Sequence, residues 1–209
     1  MATILTQGLD YGNKLKDVDI KTSYTAADSI PLKVLLDKEL VLYAQSYGRL
    51  LPIHMQILPT NRCNLSCNFC SCSERNKNSE LDFGLAKMII DKCKELGTKS
   101  VTITGGGEPL LYSHFDELID YFVEKRIKTG LVTNGLLLHK ANMSSLNKIT
   151  WCRISNGNER YFGKVYKDRL KNIVNCTPNV DWAFSHVVSN KPNYEEIARI
   201  INFANEHNF

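Results

Sequence analysis

The sequence predicts an α/β fold built on a parallel sheet, and three observations support this prediction. Short apolar segments alternate with segments of helical periodicity five times along the chain. The segments between strands contain helices, as crossover connections between parallel strands require. Polar, glycine-rich or cysteine-rich loops follow the strands, where the chemistry of such sheets is located. Five units are fewer than a complete curved sheet contains, so we expect the core to be incomplete at its C-terminal side.

The spacing of apolar residues defines each element in turn. Residues 1–27 show no clean period and are expected to form an extended arm or irregular cap, and residues 28–47 form a helix that Asp28 or Ser29 caps and Gly48 ends. Beyond this helix the pattern predicts strands at 53–58, 100–104, 129–133, 149–155 and 180–188. It predicts helices at 82–96, 115–123, 158–174 and 193–207, and a helical turn at 141–147. We therefore expect an N-terminal arm and helix over residues 1–50 and a core over residues 51–209.

The same periodicity predicts which helix faces are buried. Ser113 is expected to cap the helix that begins at residue 115. The apolar stripe of helix 82–96 consists of Leu85, Met88, Ile89, Cys93 and Leu96. The inward face of helix 193–207 consists of Tyr194, Ile197, Ile201 and Ala204.

Composition excludes several classes of protein. The chain has 209 residues, 43% of them hydrophobic and 23% charged, which is typical of a soluble globular protein. It contains no apolar run of about 18 residues that would span a membrane, and its first residues lack the pattern of a secretory signal. A net charge of +4 does not argue for a nucleic-acid partner. The chain contains seven cysteines and lacks a secretory signal pattern. This combination favours a cytoplasmic protein whose thiols are reduced and bind metal.

Four of the cysteines lie close together on the loop after the first predicted strand. Cys63, Cys67 and Cys70 have x3 and x2 spacing, and Cys72 follows them. Three thiolates on one short loop can bind three irons of a [4Fe–4S] cluster and leave the fourth iron open to an exogenous ligand. Structural zinc is the main alternative, but it takes four ligands, usually as two separated pairs, and no second pair is present. We expect Cys72 not to be a ligand of the main cluster.

A second motif, Gly105-Gly106-Gly107-Glu108-Pro109, connects a predicted strand to a helix. A phosphate cradle is one alternative for such a loop. However, Glu108 would place a carboxylate beside the anion, and Pro109 lacks a backbone donor. A glycine-rich loop that carries one carboxylate better suits a ligand with an ammonium group.

These motifs resemble a known family. Cys63-x3-Cys67-x2-Cys70, with Phe69 before the last cysteine, resembles the signature of the radical S-adenosylmethionine enzymes. The segments 104–109, 132–135 and 153–155 are similar to later motifs of that family and occur in its order. The resemblance covers about residues 50–205. It implies a partial (β/α)6-type barrel, a [4Fe–4S] cluster on the three cysteines, and S-adenosylmethionine at the open iron.

The resemblance also implies how individual residues bind the cofactor. Glu108 and the backbone of Gly106 and Gly107 would hold the amino group of the methionine part. Further cofactor contacts would come from Phe69 at the adenine site and from Asn134, Arg153 and Ser155 at the strand ends. Two alternatives stay open, since Asn134-Gly135 also fits a plain turn and an inward Arg153 equally fits substrate binding.

Other polar residues receive structural interpretations. His54 and His186 fall on strand faces and are expected in the core, as is Cys93 on its helix. Arg75 and Lys77 are expected in a solvated loop, although an anionic substrate near the cluster is an alternative.

The resemblance implies an enzyme in which a 5′-deoxyadenosyl radical abstracts hydrogen from a peptide or small-molecule substrate. It further implies an electron donor such as flavodoxin or ferredoxin. Three alternatives stay open: an activase for a glycyl-radical enzyme, a non-catalytic iron–sulfur electron carrier and a zinc-binding module. No residue is assigned a catalytic role beyond those that bind the cluster and the cofactor.

Overall fold

The computed structural model describes residues 38–49, 51–156, 163–188, 190–207 and 209. The predicted arm of residues 1–27, residues 28–37 of the first predicted helix and residues 158–162 of another lie outside this part of the chain. The division into two parts at residue 50 therefore stays a prediction. Among the described residues, no helix has the length and apolar character needed to cross a bilayer.

The described elements follow the predicted order closely. The strands are β1 His54–Ile57, β2 Ser100–Ile103, β3 Lys128–Thr133, β4 Trp151–Asn156 and β5 Asp181–His186. The helices are α1 Lys38–Tyr47, α2 Phe83–Glu95, α3 Phe115–Glu124, α4 Met143–Leu146, α5 Lys164–Cys176 and α6 Tyr194–Glu206. Short 3-10 turns lie at Pro109–Leu111 and Leu138–Lys140. Gly48 ends α1 with φ of 61°, and its N–H donates to the Ala44 carbonyl at 2.9 Å.

The five strands form one parallel sheet in the order β1-β2-β3-β4-β5. Each strand lies beside the strand that precedes it in the chain, with a helix between them. This topology confirms the predicted α/β fold and is consistent with a partial barrel. Because all strands run the same way, the loops that follow β1, β2, β3 and β4 meet at one edge of the sheet.

The apolar core joins the sheet to its helices. Its largest fully buried members come from β2, β3, β4 and the helices α2, α3 and α5, among them Ile90, Ile103, Leu118, Phe122, Leu131, Ile154 and Leu170. On β5, Phe184 packs edge-on against Phe203 of α6 with ring centroids 6.1 Å apart. We use the term inner face for the face of the sheet opposite to the one on which Phe184 contacts α6. His54 contacts the hydroxyls of Ser100 and Thr102 at 2.7 and 3.1 Å and thereby links β1 to β2.

The predicted faces of two helices are only partly right, since Cys93 of α2 and Ile197 and Ala204 of α6 are half-buried. Helix α2 buries Ala86 and Ile90, whereas Leu85 and Met88 of the predicted stripe are exposed. Helix α6 buries Glu196, Ile200 and Phe203, whereas Tyr194 and Ile201 are exposed. Both helices carry two overlapping apolar stripes, and the strands that they pack against select one of them. Periodicity within the helix cannot make that selection.

The predicted cap of α3 is also wrong. His114 occupies the N-cap position and makes no side-chain capping bond. The Ser113 hydroxyl instead accepts a hydrogen bond from the Arg62 guanidinium at 3.1 Å. A long-range partner therefore replaces the local one that the sequence pattern indicates.

Candidate functional site

The cysteine loop, residues 58–82, is closed at its base by a short antiparallel contact. Thr60 and Glu80 form an isolated bridge. The Asn61 N–H donates to the Ser79 carbonyl at 2.9 Å, and the Leu81 N–H donates to the Pro59 carbonyl at 2.8 Å. This closure presents the cysteines as one unit at the end of β1.

Cys63, Cys67 and Cys70 line one cavity of about 330 Å³. All three are half-buried free thiols, and the Cys70 N–H donates to the Cys67 carbonyl at 3.1 Å. Burial raises the pKa of the Cys67 thiol, and the nearby charges of Cys63 and Cys70 raise it further. The three cysteines therefore lie together at one cavity, as the sequence spacing predicts.

Cys72 stands apart from these three. It is half-buried and does not line the cavity, and its sulfur lies 3.8 Å from the Ser71 hydroxyl. Across the described residues, no group of three or more His, Cys, Asp and Glu side chains is placed to hold a single metal ion. In an iron–sulfur cluster each thiolate binds its own iron, so the thiolates need not converge on one point.

Arg75 holds the cysteine loop together. Its Nε–H donates to the Asn61 carbonyl at 2.8 Å, and its Nη1 donates to the Cys72 carbonyl and to the Cys70 sulfur, the latter at 3.5 Å. The predicted solvated position is wrong for Arg75, which is half-buried, and correct for the exposed Lys77. Arginine suits this role because its planar group directs several donors at once.

We expect Arg75→Gln to lower the free energy of unfolding by about 1–3 kcal/mol, because these hydrogen bonds come from a charged donor. Urea titration of the metal-free protein would measure the change, and iron bound per chain after reconstitution would fall in parallel. Lys77→Gln is the matched control and should stay within about 0.5 kcal/mol of the unsubstituted chain. Equal stability of the two variants would contradict the role given to Arg75.

The glycine loop, residues 104–108, lies directly against the cysteine loop. The Gly107 N–H donates to the Thr60 carbonyl at 3.0 Å, and the Glu108 N–H donates to the Arg62 carbonyl at 2.7 Å. A Cβ on Gly107 would lie 2.0 Å from that Arg62 oxygen, and one on Gly106 would lie 2.4 Å from Asn61 Oδ1. Glycine is therefore needed where the two backbones approach each other.

Glu108 is the most deeply buried carboxylate of the cavity, with 2% of its surface exposed. It accepts hydrogen bonds from the Thr133 hydroxyl at 2.5 Å, the Asn134 N–H at 2.8 Å and the Leu110 N–H at 3.2 Å. Burial raises the pKa of Glu108, and these three hydrogen bonds oppose that rise. Within the described residues no Lys, Arg or His forms an ion pair with it.

The end of β3 connects Glu108 to the cysteine loop. The Asn134 side chain donates to Asn64 Oδ1 at 2.8 Å and accepts from the Leu136 N–H at 3.1 Å. Gly135 follows with φ of 76°, so the predicted Asn-Gly turn is present together with a contact across to the cysteine loop. At the end of β4, Ser155 is exposed and lines the same cavity.

The structure therefore brings most of the expected cofactor residues together. Gly106, Gly107, Glu108, Asn134 and Ser155 line the cavity with the three cysteines. The two exceptions among the expected residues are Phe69, which is 51% exposed, and Arg153. Thr104 and Thr133, which belong to the family-like segments 104–109 and 132–135, also line the cavity. The sequence signal for both residues is their position at or just beyond the ends of β2 and β3.

Comparisons with known proteins point to one family. Residues 57–209 match the Radical SAM superfamily. An S-adenosylmethionine-dependent nucleotide dehydratase from Selenomonas ruminantium is 33% identical over 79 residues, which are 38% of this chain and 28% of that protein. A PqqA peptide cyclase from Granulibacter bethesdensis is 33% identical over 91 residues, which are 43% of this chain and 24% of that protein. The matched segments thus span about a quarter of these relatives.

A solved structure shares the fold. Streptococcus suis SuiB, bound to its precursor peptide SuiA, aligns with 98% of this chain and 50% of its own length. The TM-score is 0.62 and the sequence identity 24%.

The residues of the cavity fit the two groups that this superfamily implies, an iron–sulfur cluster and S-adenosylmethionine. Cysteine thiolates are the usual ligands of such a cluster, and three of them leave one iron without a protein ligand. The buried Glu108 carboxylate suits an ammonium group, and the cavity volume is typical of small-molecule sites. With the family matched over residues 57–209 and the fold shared with SuiB, this chain belongs to the radical S-adenosylmethionine superfamily.

Proposed function

We propose that this chain forms the core of a radical S-adenosylmethionine enzyme that abstracts hydrogen from a peptide or small-molecule substrate. One observation carries the proposal. A single cavity contains three half-buried thiols together with a buried carboxylate, Glu108, that has no cationic partner among the described residues.

In this proposal Cys63, Cys67 and Cys70 bind three irons of a [4Fe–4S] cluster, and the fourth iron is left to the cofactor. When bound, the cluster and S-adenosylmethionine together supply a 5′-deoxyadenosyl radical. The chain's own contribution is positional. Glu108 accepts a hydrogen bond from the cofactor's ammonium group. The glycine loop has no side chains that would prevent a close approach between its backbone and the ligand. Thr133 and Asn134 hold the Glu108 carboxylate in place.

The substrate is proposed only as a class. The relatives include a nucleotide dehydratase and a peptide cyclase, and the SuiB structure contains a precursor peptide. These names support a small molecule and a peptide alike. We further propose a cytoplasmic location and an electron donor such as flavodoxin or ferredoxin, since a cluster with three thiolate ligands needs a reducing environment.

The test is reconstitution of the purified chain with iron and sulfide without oxygen, followed by reductant and S-adenosylmethionine. We expect about four irons and four sulfides per chain, with release of methionine and 5′-deoxyadenosine measured by mass spectrometry. A fully assembled cluster without cofactor cleavage would favour the electron carrier. One zinc per chain without sulfide would favour the zinc-binding module.

Glu108→Gln should weaken S-adenosylmethionine binding by about 10- to 100-fold, because a charge-assisted hydrogen bond to the ammonium contributes roughly 1.5–3 kcal/mol. Calorimetric titration of the reconstituted protein with S-adenosylmethionine would measure this loss of affinity.

The pH dependence of S-adenosylmethionine binding follows from the raised pKa of Glu108. As pH falls toward that pKa, the carboxylate is protonated and affinity decreases. In Glu108→Gln, affinity should be low and independent of pH over the same range, with the cluster intact. Wild-type affinity in that variant would contradict the role of Glu108.

A further inference from the structure

The inner face of β4 carries three side chains in line: Trp151, Arg153 and Ser155. A Cβ on Gly130 would lie 2.0 Å from Trp151 Cε2, so Trp151 covers β3 on this face. The Arg153 guanidinium lies 5.3 Å from the centroid of the Trp151 ring, which places it on the same face. Ser155, two residues further on, lines the cofactor cavity. At about 3.3 Å per residue, Arg153 lies roughly 7 Å along the strand from the cavity residue.

Among the described residues, no carboxylate forms an ion pair with the Arg153 guanidinium. Its register neighbours are Val132 on β3 and Ala183 on β5, and neither side chain has an acceptor. Over the ranges that the structure describes, the Arg153 side chain makes no hydrogen bond or ion pair, although it is half-buried. The one described contact of the guanidinium is a cation–π contact with the Trp151 ring.

The other two arginines near the site differ from Arg153. Arg62 forms an ion pair with Glu80, and Arg75 donates to two carbonyls and a sulfur. A half-buried guanidinium without a protein acceptor has its N–H donors free for an anionic ligand, which would satisfy them where water is partly excluded. A guanidinium whose planar group lies beside an indole ring keeps its N–H donors available for a bidentate bond with a carboxylate or phosphate.

We infer that Arg153 anchors an anionic group, a carboxylate or a phosphate, of the substrate on the inner face beside the cofactor cavity. This inference rests on the proposed function, since it supplies the substrate class for the same site. The cofactor carboxylate is the competing ligand for Arg153. Because Arg153 does not line the cavity that contains the cysteines and Glu108, the geometry favours the substrate.

The experiment is anion titration of the reconstituted chain in saturating S-adenosylmethionine, at constant ionic strength, with calorimetry as the readout. The probes are tripolyphosphate and glutarate. Tryptophan fluorescence gives a second readout, because Trp151 is one of two tryptophans and contacts the guanidinium. We expect saturable binding of at least one probe, weakened more than tenfold in Arg153→Gln and less in Arg153→Lys, which keeps the charge but loses the planar group. Arg169→Gln, an exposed arginine on α5, is the matched control and should bind as the unsubstituted chain does.

The outcomes separate the alternatives. Preference for tripolyphosphate supports a phosphate-bearing substrate, and preference for glutarate supports a carboxylate-bearing one. Absence of binding to both probes, equal binding by Arg153→Gln, or binding that appears only without S-adenosylmethionine overturns the inference. The titration needs no reductant or turnover. Failure to release 5′-deoxyadenosine with anion binding intact would therefore overturn the proposed function alone.

Discussion

Cys67→Ala is expected to abolish both the cluster and cofactor cleavage. Cys67 is the central member of the triad and lines the same cavity as Cys63 and Cys70. Its removal leaves two thiolates, which cannot hold three irons. Changes to residues that merely surround metal ligands already cost 10- to 100-fold, so release of 5′-deoxyadenosine should fall by more than about 100-fold. Iron content, sulfide content and product release after anaerobic reconstitution are the measurements.

The chain supplies matched controls for this substitution. Cys72 lies on the same loop outside the cavity, and Cys176 is exposed at the end of α5. Cys72→Ala and Cys176→Ala should keep the cluster and the cleavage activity. If Cys72→Ala loses iron to the same extent as Cys67→Ala, Cys72 is a ligand. If Cys67→Ala retains a full cluster, the assignment of the triad is wrong.

Gly107→Ala is expected to destabilise the fold and to disorganise the site together. The new Cβ would lie 2.0 Å from the Arg62 carbonyl oxygen and 2.5 Å from the Asn61 carbonyl carbon. These are backbone atoms, so no side chain can rotate away, and the cysteine and glycine loops must separate. Overpacking of this kind costs typically 1–3 kcal/mol, and we expect about 3 kcal/mol because the contact is with backbone. For a chain of this size the melting temperature should fall by roughly 6–12 °C.

Thermal and urea unfolding of the metal-free protein would measure the loss, and iron uptake would report on the site. Gly163→Ala is the control, because its Cβ would meet nothing within 4 Å and its φ of −81° suits any residue. That variant should stay within about 1 kcal/mol of the unsubstituted chain, since Gly163 occupies a helix N-cap. A Gly107→Ala protein as stable as Gly163→Ala would show that the two loops are not in close contact.

Long-range contacts decide several features that local patterns misassign. The sequence pattern indicates Ser113 as a helix cap, but its hydroxyl accepts a hydrogen bond from Arg62, which is 51 positions away. Arg75 looks solvated in sequence, yet the fold of the cysteine loop places the Asn61 carbonyl within 2.8 Å of its Nε. In helix α2 the exposed Leu85 and the buried Ile90 are equally apolar, and only the sheet distinguishes them. The tertiary structure likewise decides that Arg153 lies outside the cavity. Its position depends on the alternation of side chains along β4 and on the contact of the guanidinium with the Trp151 ring.

The sequence by itself determined the parallel α/β order, the position of each motif after a strand, and the spacing of Cys63, Cys67 and Cys70. These features depend on periodicity and on residues only a few positions apart, which a linear pattern records. Only the tertiary structure decided that Glu108 is buried against Thr133 and Asn134, that Arg75 holds the cysteine loop, and that Arg153 has no counter-charge in the described residues. The physical reason is that burial and hydrogen-bond partners come from elements distant in the chain, and parallel strands bring those elements together at one edge.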